Sequence, residues 1–123
     1  MKPTSHHICE AAAVAEGAGV LASIGALEVG IFRIGGRLVA YENRCAHQGG
    51  PVCSGEVIGK TEVVLGPRGA IVEERYSTQC LHLVCPWHGW EYQLDTGVCS
   101  VDERIRLRAF IVHEEDGEVY LEL

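Results

Sequence analysis

Apolar and polar positions alternate with a period of two over much of this chain, and that period belongs to β-strands, in which successive side chains point to opposite faces. Val29-Gly30-Ile31-Phe32-Arg33-Ile34 and Arg37-Leu38-Val39-Ala40-Tyr41 are separated by Gly35-Gly36. Two adjacent glycines accept the positive φ angles of a tight primed turn, so the segment predicts a hairpin. Near the end, residues 104–111 (RIRLRAFI) alternate strictly, and Asp116-Gly117 turns the chain into Glu118-Val119-Tyr120-Leu121-Glu122-Leu123, a second predicted hairpin. Shorter strands are expected at 81–84 and at 91–94, the latter followed by the turn residues Asp95-Thr96-Gly97. The one helical suggestion is Glu10 to Glu16, an alanine-rich run that Gly17 would stop. The expected fold class is all-β with antiparallel sheets, in a single domain.

Composition narrows the class of function. The 123 residues include 10 Lys and Arg against 17 Asp and Glu, a formal charge of -7, which argues against a broad nucleic-acid or anionic-membrane surface. The apolar stretch Gly17 to Leu27 makes a poor signal peptide: Glu10 and Glu16 precede it and it is built on Gly and Ala. No apolar run approaches the ~18 residues that would cross a bilayer. A cytoplasmic setting is the expectation. The chain carries 6 Cys and 6 His against only 8 aromatic residues, and that surplus is what needs explaining. The cysteines are scattered, unlike a disulfide framework, and metal ligation is the alternative use.

Cys45-Ala46-His47 and Cys85-Pro86-Trp87-His88 supply four ligands from two loops that lie between the hairpins. Each histidine is followed by flexible backbone, Gln48-Gly49-Gly50-Pro51 in one loop and Gly89 in the other, where the lack of a Cβ lets amides approach an inorganic sulfide. Two readings compete. A structural zinc site uses the same residue types, but its ligand pairs usually have at least two residues between them, whereas Cys45 and His47 have a single one. A 2Fe-2S cluster with two thiolates on one iron and two imidazoles on the other fits if each loop sends its Cys to one iron and its His to the other.

At these residues the sequence resembles the Rieske family. The matching text is Cys45-Ala46-His47-Gln48-Gly49 and Cys85-Pro86-Trp87-His88-Gly89-Trp90-Glu91-Tyr92, and the likeness extends over most of the chain. The resemblance implies antiparallel sheets with an inserted cluster-binding subdomain at about 43–94, one Rieske-type 2Fe-2S cluster, Cys45 and Cys85 on a buried iron, and His47 and His88 on the outer one. It also implies a potential that falls as pH rises, because the imidazoles lose protons more readily when the iron is ferric. Where the quinol-oxidising relatives place a cross-loop disulfide, this chain has Gly50 and Trp87, and where they place a serine bonded to sulfide it has Trp90. Fewer hydrogen bonds to sulfur predict a potential in the lower part of the Rieske span of roughly -150 to +300 mV. Lys60 to Gln79 looks like an insertion, with 61–65 and 70–74 as an added hairpin around Gly66-Pro67-Arg68-Gly69.

The function implied is that of a monomeric ferredoxin of ring-hydroxylating dioxygenase systems, taking single electrons from a flavin-dependent ferredoxin reductase to a terminal oxygenase and transforming no substrate itself. A mononuclear iron centre would need two further histidines and a carboxylate in a second domain. The alternative is a small Rieske subunit permanently bound to a larger oxidoreductase, such as a nitrite reductase. Outside the ligand set, Cys9, Cys53, Cys80 and Cys99 are expected to be small core residues, with a Cys53–Cys80 bond as the other option. His82 is expected to be a structural histidine in an apolar strand. Arg104, Arg106 and Arg108 read as the wet face of a strand or as a dock for an acidic partner.

Overall fold

The structure is a computed structural model that describes residues 5–46, 49–65, 67–87 and 89–123, with the backbone alone for 60–65 and 71–80. Its strands are β1 (Ser5–Glu10), β2 (Gly19–Ile24), β3 (Leu27–Ile34), β4 (Arg37–Glu42), β5 (Glu56–Leu65), β6 (Ile71–Val84), β7 (Glu91–Gln93), β8 (Ala109–Glu115) and β9 (Glu118–Glu122). They form one six-stranded sheet in the order β1-β9-β8-β4-β3-β2 and a three-stranded sheet in the order β5-β6-β7. Every pairing between these strands is antiparallel, as the expected all-β class requires.

The first predicted hairpin is β3–β4. Gly35 and Gly36 have φ of 58° and 77°, the pair of positive values that a primed two-residue turn needs. Val29 to Phe32 are all buried because both faces of β3 are covered. Val29 and Ile31 enter one core with Val14, Ala40, Val119 and Leu121, while Phe32 enters a second with Tyr41, Val52, Leu83, Tyr92 and Leu94. The candidate cysteines Cys45 and Cys85 belong to that second core, so the site rests on packed side chains of both sheets. The apolar stretch that could be mistaken for a leader is strand β2, paired along its length with β3.

Three expectations change. The predicted helix at Glu10–Glu16 is absent: Glu10 ends β1, and Ala11–Ala13 form a single 3-10 turn. Ala11 N–H donates to Gly117 O, and Arg33 Nη2 and Nε donate to Ala11 O and Val14 O, so tertiary bonds occupy a segment too short to nucleate a helix. Strand β8 begins at Ala109 rather than Arg104. Residues before it keep their in-and-out alternation but bond to a neighbouring loop, with Cys99 N–H donating to Ile105 O and Leu107 N–H to Gly97 O. Finally, the predicted strand 81–84 is the end of the much longer β6. Its hairpin with β5 runs from the Glu56↔Val84 pair to Leu65↔Ile71, with irregular register between Gly59 and Thr61. Among the described residues no helix is long and apolar enough to cross a membrane.

Candidate metal centre

Two loops built to the same plan converge on one spot. In the first, which leaves β4, Cys45 N–H donates to Gly50 O at 2.7 Å and Gly49 N–H donates back to Cys45 O at 2.8 Å. In the second, between β6 and β7, Cys85 N–H donates to Trp90 O at 2.8 Å and Gly89 N–H to Cys85 O at 3.0 Å. The fourth residue after each cysteine has positive φ, 76° at Gly49 and 71° at Gly89, which explains a glycine at both places. Each cysteine is therefore the anchor of a closed loop. Both are buried, at 3% and 1% exposure, while Ala46 and Pro86 next to them are exposed and Trp87 is 56% exposed. The predicted ligands His47 and His88 lie outside the described residues.

The loops touch at Gly50 and Trp87. A Cβ on Gly50 would lie 2.8 Å from Trp87 Cδ2 and 3.1 Å from Cys85 Sγ. The indole thus covers the Gly50 backbone. Asn43 braces the first loop from below: its N–H donates to Glu28 O, and its Oδ1 accepts from Cys53 N–H at 2.8 Å.

Tyr92 is a residue at the site to which the sequence reading gave no role. Strand β7 alternates, so Tyr92 points inward between half-buried Glu91 and Gln93, and its hydroxyl stands 3.1 Å from Cys45 Sγ. Burial first, then the hydrogen bond to Cys45, raises the phenol above its ordinary range, which keeps it a neutral donor at neutral pH. The available signal was the spacing of two residues from Trp90, which puts a hydroxyl on the core face of the strand that follows the second loop.

Cys53 and His82, outside the ligand set, are structural. Cys53 is not in a disulfide, which rules out the Cys53–Cys80 bond; its Sγ lies 3.6 Å from Tyr41 O and 3.7 Å from Glu42 O. Burial, only partly offset by a backbone hydrogen bond involving Gly30, pushes its thiol up to about 12, so it stays protonated and inert. Cys99 is buried, Cys9 is partly so, and the side chain of Cys80 lies outside the described residues. His82, 6% exposed, places Nδ1 3.0 Å from Glu91 Oε1, the satisfied core histidine that its strand position predicts.

Comparison with known proteins agrees with this geometry. The family model for the Rieske [2Fe-2S] domain matches residues 4–111. No curated protein matches the sequence. Among solved structures, the ferredoxin of Sphingomonas yanoikuyae B1 superposes with a TM-score of 0.68 at 19% identity, over 98% of this chain and 99% of that one. The ferredoxin of carbazole 1,9a-dioxygenase from Nocardioides aromaticivorans IC177 gives 0.65 at 17% identity, over 98% and 97%. A protein assigned as the NADH-dependent nitrite reductase small subunit of Mycobacterium tuberculosis gives 0.70 at 19% identity, over 98% and 96%. At such identities the superpositions speak to the fold alone. The family match covers most of the 123 residues: the chain belongs to the Rieske [2Fe-2S] domain family, and its cofactor is one Rieske-type 2Fe-2S cluster.

Proposed function

We propose that this chain is a one-electron carrier whose cluster is held by Cys45 and Cys85 on the inner iron and by His47 and His88 on the outer one, serving a flavin-dependent reductase and a ring-hydroxylating terminal oxygenase. The residues present fit the group. Two buried sulfurs stand on loops with matching hydrogen-bond closure, Gly50 leaves the space between them free of a Cβ, and Tyr92 sets its hydroxyl within hydrogen-bond distance of one sulfur. When bound, the cluster supplies a single reversible electron at low reorganisation.

The observation that carries the reading is the contrast within each loop. Cys45 and Cys85 are almost fully buried, while Ala46 and Trp87, one and two residues on, are exposed. A cofactor anchored by these cysteines would be held from the core beside an exposed stretch of each loop, which suits electron exchange with a docked protein. Cys45 and Cys85 would anchor the group, Trp87 would exclude water from the loop junction, and Tyr92 would hold its proton toward Cys45. The second reading, a permanently bound small subunit of a nitrite reductase type, is compatible with the same fold, since the Mycobacterium tuberculosis protein superposes as closely as the ferredoxins do.

The test is purification of the holo-protein. A cytoplasmic shuttle is expected to run as a red-brown monomer containing iron and acid-labile sulfide in equal amounts, and to be reduced catalytically by an added flavin reductase. Recovery only with a large partner subunit would select the second reading, and a colourless chain holding one zinc would end both. With two imidazole ligands, proton loss favours the ferric state, so the potential is expected to fall as pH rises through the alkaline range. A potential flat across that range would contradict solvent-facing histidine ligands.

Tyr92→Phe tests the hydroxyl at Cys45. A hydrogen bond to a thiolate favours the more electron-rich, reduced cluster, so its loss is expected to lower the potential. If about 1 kcal/mol of a charged hydrogen bond differs between the two redox states, the drop is on the order of 40 mV for one electron. Protein-film voltammetry reads it directly, and an unchanged potential would remove Tyr92 from the site.

A further inference from the structure

A cavity of about 410 Å³ opens beside the first loop, lined by Arg44, Cys45 and Gly49 together with Arg106 and Arg108. Its charge runs against that of the chain, which is -7 overall. Glu42 is the carboxylate that lines it, and Arg108 already reaches that group, with Nη1 3.8 Å from Oε2. The Arg108 guanidinium also sits 4.8 Å over the Phe110 ring, which fixes its place on the rim. Arg44 and Arg106 are exposed and meet no carboxylate among the described residues. On the far side of Arg44, Glu28 and Glu42 line a separate hollow of about 280 Å³, which marks where the cationic rim ends. Arg104 behaves differently from its neighbours: Asp102 accepts from its Nε and Nη2, both at 3.0 Å, and cancels its charge locally.

We propose that Arg44, Arg106 and Arg108 form a cationic rim that seats a carboxylate-rich surface of the redox partner protein against the Cys45 loop. The proposal rests on the electron-carrier reading above and adds the chemistry of the partner. An anionic body with a cationic rim at one loop is a dipole, and a dipole turns in the field of an acidic partner so that the cluster loop leads. The fork of a guanidinium matches a carboxylate, and the Arg108 side chain is 65% exposed, which suits a surface that docks and leaves. Individually such exposed pairs contribute little, so the rim acts through rate and orientation more than through tight binding.

Two measurements on the holo-protein decide it. In the first, the reduced protein is oxidised at low salt by ferricyanide, an anion, or by hexaammineruthenium(III), a cation. Arg106→Glu and Arg44→Glu are expected to slow ferricyanide roughly tenfold and to speed the cation. Arg37→Glu, an equal change of charge at the opposite end of β4, is expected to alter neither rate by more than about twofold. In the second, a hexaglutamate peptide is titrated into isotopically labelled protein. Amide shifts at residues 44 and 106–108 that vanish in Arg106→Glu support the rim. Equal slowing by Arg37→Glu, or inorganic phosphate shifting those amides as strongly as hexaglutamate, overturns it. Electron exchange with both oxidants that ignores the rim variants defeats the rim and leaves the carrier reading standing. A chain with no reducible cluster defeats the reading and the proposal together.

Discussion

Cys85→Ser and Cys45→Ser are each expected to yield a folded but nearly colourless protein, whereas Cys53→Ser keeps its cluster. All three cysteines are buried, at 1%, 3% and 6% exposure, so burial does not separate them. Their surroundings do. Cys45 and Cys85 anchor the two closed loops and come together through Gly50, while Cys53 sits in a 3-10 turn with its sulfur turned to the carbonyls of Tyr41 and Glu42. Serine at 53 can donate to the same carbonyls and costs about 1 kcal/mol in lost apolar packing. Under the proposed ligation, serine at 45 or 85 replaces a thiolate with a hydroxyl that does not ionise near neutral pH and is a poor ligand for iron in a sulfide cluster. Losing even an outer partner of a metal site costs at least about tenfold in metal affinity, so loss of an inner ligand leaves little iron bound. Iron and sulfide per chain, with far-ultraviolet circular dichroism to confirm the fold, give the answer. A Cys85→Ser protein with its full iron content, or a colourless Cys53→Ser protein, would reassign the ligands.

The parts of the fold that were legible in the sequence are those set by local chemistry. Gly35-Gly36 fixed the β3–β4 hairpin because positive φ is a property of the residues themselves, and Asp116-Gly117 did the same for β8–β9, with φ of 52° and 77°. Alternation placed Ile105 and Leu107 inward correctly, yet it could not say whether their backbone bonds to a strand or to a loop, and here it bonds to the loop at 97–99. Alanine at 11–13 carries helix propensity that Arg33 and Gly117 override from distant parts of the chain, a long-range effect that no window of sequence contains. The candidate site divides in the same way. The two cysteine boxes are visible because ligand spacing is local, but the 3.1 Å approach of Tyr92 to Cys45 joins strand β7 of one sheet to the loop that leaves β4 of the other. The cationic rim is non-local too, since Arg44 and Arg106 meet only when the segment before β8 folds against the end of β4.

Gly55→Ala is expected to be the most damaging single methyl group in the described part of the chain. Nothing in the backbone marks the position: φ is -78° and ψ is -173°, extended values open to any residue. The constraint is steric. A Cβ there would lie 1.7 Å from Val84 O, 2.9 Å from Val84 C and 3.1 Å from Val52 O. All three obstacles are backbone atoms, which cannot swing aside as a side chain does, so β5 must part from β6 at the Glu56↔Val84 pair. Val84 is the residue before Cys85, and the displacement passes straight into the second cluster loop. Overpacking of this kind costs about 3 kcal/mol or more, which for a domain of this size lowers the unfolding midpoint by roughly 12 °C. Gly25→Ala is the matched control: φ there is +62° but no atom lies within 4 Å of the new Cβ, so only backbone strain of about 1 kcal/mol, or roughly 4 °C, is expected. Cluster content separates the two further, because only the change at 55 moves a cysteine loop. A Gly55→Ala protein that melts with Gly25→Ala and holds its full iron would mean that the β5–β6 junction yields without disturbing Cys85, and that the rigidity of this junction is not what positions the second loop.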